Sequence, residues 1–327
     1  MPSQWTSAPA VSFDLSDWSQ IDLSGPGAKS FLHNFCTNDV NQLTAGHACE
    51  AFLCDLKGRI LGHVQIVAGE DHFRLIAVPG SAGVIVPHLR KYLLGAPVEI
   101  KDQSDELGLL CLHGNGLPEI LTTATGTSVD VALNQTQQVG SEGSSLLVIG
   151  TDLLGESTFL ISGDRDAVAA LREQIPAQFL ELGARELFEL LRIEAGFPHC
   201  GRDLSSQDIA QTAARTSRAI SFTKGCYLGQ EPIARLDAMG HTTRELRGLL
   251  IHGKNVRVND PVLVGEHEVG TLTSVAYSPA RRASLALAKI RTSQAAPGTR
   301  ATVNSSTGPV DAIIYWPDIH SLAQEEE

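Results

Sequence analysis

Lys224-Gly225-Cys226-Tyr227-Leu228-Gly229-Gln230-Glu231 divides the chain into two kinds of sequence. Beyond it, from 245 to 318, short strand-forming runs are separated by Gly, Asn, Asp and Pro, which predicts a small all-β barrel. Before it, helix-period and strand-period segments mix without regular βαβ alternation. That pattern predicts an α+β fold rather than a doubly wound parallel sheet.

Immediately upstream, residues 197–243 read as loop-rich. They follow the clearest helical stretch, 181–195 (ELGARELFELLRIEA), which sets Leu187, Leu190 and Leu191 on one side and is stopped by Gly196 and Pro198. Further out, residues 21–24 read as a strand and Gly25-Pro26-Gly27 as a turn. Ala28–Phe35 reads as a short helix closed by Thr37-Asn38-Asp39. Strands are expected at 48–54, 59–67 and 72–78, the first two joined by the turn Asp55-Leu56-Lys57-Gly58. Residues 81–94 look helical, with Pro87 near the first turn or at a kink. Strands at 97–102, 107–113 and Thr158–Ser162 follow, then a helix from Asp164 to Gln174 with Asp164 as its N-cap. The polar stretch 123–145 reads as an exposed loop or edge strand.

The 327 residues are 43% hydrophobic and 19% charged, enough to bury a substantial core in one large domain or two to three packed ones. The net charge of −12 opposes general attraction to nucleic-acid phosphate and leaves room only for a local basic pocket. Glu325-Glu326-Glu327 reads as a solvated tail. No run of 18 apolar residues spans a membrane. The opening MPSQWTSAPA has neither a basic nor an apolar targeting segment, so the expectation is a cytoplasmic protein. None of the six cysteines is paired at CxxC spacing, which argues against a zinc knuckle. Cys54 and Cys111 sit in apolar runs and read as core residues.

Several residues stand out chemically. Glu194 ends a helix, where the macrodipole disfavours a negative charge; such a carboxylate suits a ligand with paired N–H donors, and the plain alternative is an exposed Glu near Arg192. In KGCYLGQE, two glycines four apart permit a sharp turn or close approach. Lys224 and Arg235 near Cys226 favour its thiolate, and Gln230 and Glu231 add an amide and a carboxylate. The plain alternative is a turn with a small buried thiol. His199, Cys200 and Asp203 offer too few ligands for a metal site, so none is expected. No GxGxxG, Walker A, HExxH or GxSxG motif is present.

KGCYLGQE followed by Arg235 resembles the signature of the YgfZ family of folate-binding proteins, within the superfamily of the glycine-cleavage T-protein, an aminomethyltransferase. The resemblance covers most of the chain: Ile21–Leu43, Asp55–Ile60, Leu191–Leu204, Gly270–Ser274 and Leu285–Ile290 follow the family's order. It implies a three-domain ring of two mixed α+β domains and a C-terminal barrel around a folate channel. The boundaries expected are 1–105 (with 180–243 possibly joining it), 106–180, 181–243 for the helix and signature loop, and 244–327 for the barrel. It implies binding of tetrahydrofolate or a one-carbon derivative, with Cys226 as the functional, catalytic thiol, Glu194 similar in role to a pterin anchor, and Lys224, Gly225, Gly229, Gln230, Glu231 and Arg235, which match around Cys226, as further cofactor-binding residues. The implied role is assembly or repair of iron–sulfur clusters, with client or assembly proteins as partners. Two departures stand out. The aminomethyltransferases carry an acidic pair where this chain has Gly62-His63, and Asn-Ala where it has Pro79-Gly80. A folate-dependent aminomethyltransferase or methyltransferase is therefore the alternative rather than the leading reading.

Overall fold

The computed structural model describes residues 10–140 and 145–316; the acidic tail at 325–327 lies outside the described residues. The chain separates into two compact units, one built from 10–53, 62–140, 145–152 and 156–184, the other from 54–61, 153–155 and 185–316. No helix among the described residues is long and apolar enough to cross a membrane.

In chain order the elements of the first unit are β1 (Ala10–Asp14), β2 (Ser19–Ser24), α1 (Ala28–Phe35), β3 (Ala48–Cys54), β4 (Ile60–Ala68), β5 (His72–Ala77), α2 (Ala82–Arg90), β6 (Glu99–Asp102), β7 (Leu107–His113), α3 (Leu117–Thr125), β8 (Thr136–Val139), β9 (Leu146–Thr151), β10 (Thr158–Asp164), α4 (Arg165–Gln174) and β11 (Leu180–Leu182). They form a five-stranded sheet, β3-β4-β5-β2-β6, and a six-stranded sheet, β11-β1-β7-β10-β9-β8. Helices α1 and α2 close the first sheet by burying Phe31, Leu32, Ile85 and Leu89 against Ile21, Leu23, Ile66 and Leu75. Helix α4 packs on β7 and β10 through Val168 and Leu171. Its expected cap is present: Asp164 accepts from the backbone N–H groups of Asp166 and Ala167. A polar bridge joins the sheets. Arg74 donates to both oxygens of Asp22 (2.8 and 2.9 Å) and to Ser162 Oγ (3.1 Å), which in turn donates to Gln20 (2.6 Å).

Three sequence expectations change. The stretch expected as one helix over 181–195 splits, because Leu180–Leu182 pairs in parallel with Ala10–Ser12 and only the remainder is helical. A Cβ on Gly183 would collide with the Phe13 ring, so the chain passes close to β1 there before the helix begins. Pro87 lies inside α2 rather than in its first turn. The segment ahead of residue 126, expected to be irregular from 123, holds α3, which carries Pro near its start and Gly126 at its C-cap.

The second unit contains α5 (Arg185–Glu194), the single-turn α6 (Thr216–Ala219), α7 (Gln230–Met239) and six strands: β12 (Arg244–Ile251), β13 (Pro261–Val264), β14 (His267–Ser278), β15 (Ala283–Arg291), β16 (Arg300–Ser305) and β17 (Gly308–Tyr315). The strands close into a barrel in the order β12-β15-β14-β13-β16-β17, the small all-β element that the short, punctuated strand runs predict. Its interior is aliphatic: Leu249, Val262, Leu272, Ala286, Val303 and Ile314 are fully buried.

One charged cluster fixes α5 to this barrel. Arg192 and Asp203 are 1% and 0% exposed and meet at 2.9 Å. Arg192 also donates to Phe197 O (2.7 Å), Glu189 Oε2 (2.8 Å) and Ser274 Oγ (2.8 Å). Asp203 accepts from the His199 N–H (2.9 Å), and the hydroxyls of Thr273 and Ser274 lie 2.6 and 2.7 Å from its other oxygen. A bulge between Leu272 and Ser274 turns these two consecutive hydroxyls to one carboxylate. Buried charges persist only when paired and hydrogen-bonded, and every partner here comes from α5, the loop after it or β14.

Candidate functional site

Glu194, the last residue of α5, is set by the cluster two residues before it. The helix ends through Gly196 at φ +66, with the Gly196 and Phe197 N–H groups bonded to Ile193 O and Arg192 O. The Glu194 carboxylate is 22% exposed and accepts from Arg281 Nε at 3.3 Å. A pocket of about 150 Å³ opens at this helix end, lined by Ala195, Gly196, Ala214, Arg215, Ser217, Arg218 and Trp316. The Arg215 guanidinium lies over the Phe197 ring at 5.1 Å, and that of Arg247 over the Trp316 ring at 4.3 Å. Arg215, Arg218 and Trp316 are not among the residues that the sequence singles out. The signal available was a basic pair in AARTSRA within an acidic protein, the local basic pocket that the net charge leaves open.

The signature octapeptide lies in the same unit and leads into α7, so Gln230, Glu231 and Arg235 stand on a helix and not in an open loop. The helical cues were local: Glu231 and Pro232 in the first turn and Gly240 at the end. Gly229 caps α7 at φ +83, and Gln230 Nε2 reaches back to Gly225 O at 3.5 Å. The turn Asp55–Gly58 is braced against this point. Asp55 Oδ1 accepts from the Lys57 and Arg59 N–H groups (2.8 and 2.9 Å), while Ile233 and Pro232 crowd Gly58. Ile60 N bonds Asp208 O (2.9 Å), and Lys289 from β15 grips the Asp208 side chain (2.9 Å). The sequence-distant motifs DLKGRI and KGCYLGQE thus form one assembly with the barrel wall.

On that assembly Cys226 is exposed. Lys224 is buried and its ammonium lies 4.9 Å from the centre of the buried Tyr227 ring. Glu231 and Arg235 are exposed on α7. Cys54 and Cys111 are buried, and burial pushes the Cys111 thiol well up. Among the described residues the carboxylate that meets Arg281 is Glu194, so the structure ties this residue to the β14–β15 turn.

His199 and Asp203 are brought into the α5 cluster. Burial first, then Arg202 and Arg192, push the His199 imidazole down, keeping it neutral. Among the described residues no group of three or more His, Cys, Asp or Glu side chains is gathered for a metal ion.

In the first unit, His63 Nε2 meets Glu50 Oε1 at 2.6 Å, both buried, with the imidazole stacked on Phe52 at 4.8 Å. A Cβ at Gly62 would lie 2.7 Å from Ile85 of α2. A side chain at position 62 would have to displace Ile85, and position 63 is committed to a carboxylate from the neighbouring strand.

Residues 4–224 match the GCVT N-terminal domain, and residues 244–316 match the glycine cleavage T-protein C-terminal barrel domain. An aminomethyltransferase of Streptomyces avermitilis is 28% identical over 298 residues, 88% of this chain and 80% of the relative. A protein of Colwellia psychrerythraea called tRNA-modifying protein YgfZ is 28% identical over 234 residues, 71% of this chain and 69% of the relative. The crystal structure of glycine cleavage system aminomethyltransferase T from Bartonella henselae superimposes with a TM-score of 0.85, covering 96% of this chain and 87% of that one at 21% identity; the likeness is one of fold.

Proposed function

The chain belongs to the glycine cleavage T-protein family, and on that premise we propose that it is a tetrahydrofolate-binding accessory protein supporting assembly or repair of iron–sulfur clusters in client enzymes, with Cys226 as its functional thiol. What supports the reading is a carboxylate at the position that the resemblance gives to a pterin anchor, together with the absence of the acidic pair. Glu194 keeps a partly accessible carboxylate at a helix end beside a pocket, whereas Gly62 and His63 leave no acidic side chain where the aminomethyltransferase resemblance requires one.

The residues present suit a folate. A carboxylate accepts the pterin's adjacent ring N–H and amino group through two parallel hydrogen bonds. Arg215, Arg218 and Trp316 line the adjoining pocket and supply positive charge and an aromatic face. Bound folate would bring a one-carbon group; the chain's part is to hold the ring and to present Cys226 on the braced octapeptide. Lys224, Gly225, Gly229, Gln230, Glu231 and Arg235 shape that presentation in this reading. The tRNA-modifying name borne by the Colwellia relative fits a role through a client enzyme better than direct contact, because a net charge of −12 repels phosphate backbones.

Two measurements check this. Calorimetric titration with tetrahydrofolate is expected to give an affinity that Glu194→Gln weakens about 10- to 150-fold, since a hydrogen bond to a charged group contributes about 1.5–3 kcal/mol. Unchanged affinity removes Glu194 from the site. In cells lacking the gene, the wild-type chain should restore iron–sulfur enzyme activity and Cys226→Ala should not; equal rescue by the two removes the thiol from the function. Turnover of tetrahydrofolate with an aminomethyl or N-methyl donor would instead establish the transferase alternative.

A further inference from the structure

Glu194 occupies an electrostatically poor place. It is the final residue of α5, where the helix carries its negative end, so a carboxylate there is repelled by the last turn's carbonyls. A cation placed on the carboxylate offsets this repulsion and gives the side chain a direction. The charged groups on the surrounding elements are otherwise engaged. Arg192 is turned inward to Asp203, Arg202 pairs with Glu189 at 3.1 Å, and Lys289 holds Asp208. Arg215 and Arg218 line the pocket beyond the helix end. Among the described residues, Arg281 is the cation that reaches the Glu194 carboxylate.

The position of Arg281 is set by the backbone of the β14–β15 turn. Its N–H bonds Ser278 Oγ at 3.4 Å, Arg282 N bonds Pro279 O at 3.3 Å, and Arg282 takes φ +52 to close the hairpin. A non-glycine residue in that region is uncommon, and here it marks the tight turn of the hairpin. The guanidinium approaches through Nε alone, onto Oε1 alone. An ionised carboxylate has about four acceptor positions, so this side-on contact leaves acceptor capacity on both oxygens for a ligand's paired donors.

We propose that Arg281 is a positioning residue for folate recognition: through one side-on hydrogen bond to Oε1 it holds Glu194 oriented so that both carboxylate oxygens can receive the pterin's two donors. The proposal rests on the reading of Glu194 as the pterin anchor.

The test is a double-mutant cycle read by calorimetry with tetrahydrofolate at low and high salt. Arg281→Ala is expected to weaken binding about two- to fivefold at low salt, the range for a partly exposed ion pair, and less at high salt. Arg281→Lys keeps the charge and is expected to recover part of the loss. In a Glu194→Gln background the Arg281→Ala change should have no further effect, which a general packing role of Arg281 does not predict. Arg281 is 42% exposed in a surface turn, so its removal leaves the fold intact. If Glu194→Gln weakens binding while Arg281→Ala leaves it unchanged, the positioning role is wrong and the anchor stands. If Arg281→Ala tightens binding, the arginine competes with the ligand and the proposal is overturned. If Glu194→Gln has no effect, the anchor reading falls and the Arg281 role falls with it.

Discussion

Asp203→Ala is expected to destabilise the protein by about 3–5 kcal/mol, the cost of leaving one partner of a buried ion pair uncompensated. Arg192, 1% exposed, would keep its charge in the interior, and the His199 N–H with the hydroxyls of Thr273 and Ser274 would lose their shared acceptor. Urea unfolding of the protein with Trp5 and Trp18 replaced by Phe, followed by the fluorescence of the remaining Trp316 in the same unit, reads the change as a lower midpoint. Replacing the pair together, Arg192→Met with Asp203→Leu, should recover only the part due to the unpaired Arg192 charge, because the His199 N–H and the hydroxyls of Thr273 and Ser274 still lack their acceptor. A wild-type midpoint for Asp203→Ala would show that the cluster holds nothing in place. The cluster also has a pH dependence. Burial works against the Glu189 charge, but Arg192 and Arg202 outweigh it and hold the carboxyl below its usual range. A group lowered in this way stabilises the fold above its unfolded-state range, and that contribution fades as pH falls through the folded value.

Gly229→Ala is expected to cost about 2–5 kcal/mol. Part is conformational: the residue stands at φ +83, where an L side chain costs about 1–2 kcal/mol. The rest is collision, at about 1–3 kcal/mol for overpacking, because the new Cβ would strike the Asp55 carbonyl oxygen and lie 3.1 Å from Gly58 Cα. Gly265→Ala separates the two contributions. It also sits at positive φ (+61) in the second unit, but nothing lies within 4 Å of where its new methyl group would stand, so it should show the conformational part alone. Equal costs at both sites would mean that the Asp55–Gly58 turn does not brace the octapeptide.

These two sites show what a sequence reveals and what it hides. The helix Ala28–Phe35 and the Asp164 cap are written in neighbouring residues, and both are found at the expected positions. The barrel is legible because short strands with turn residues between them leave few alternatives. The ends of long-range contacts are not legible. Glu181 and Leu182 fit a helical period but join a strand, because Val11 and Ser12 lie alongside them. The missing acidic pair at Gly62-His63 is visible in the sequence, but not that Glu50 arrives from another strand to meet His63. The misplaced charge of Glu194 is visible at its helix end, whereas its partner Arg281 lies 87 positions away along the chain. Cys226, Gly229 and their neighbours are found through a contiguous motif; Arg215, Arg218 and Trp316 are not, because the pocket is assembled from three separate segments.

In the proposed function Glu194 receives a folate ring. A crystal structure of the protein with bound tetrahydrofolate tests it most directly. The pterin's ring N–H and amino group are expected within about 3.2 Å of the two Glu194 carboxylate oxygens, ordinary hydrogen-bond distance. A folate bound with its pterin away from Glu194 would contradict it.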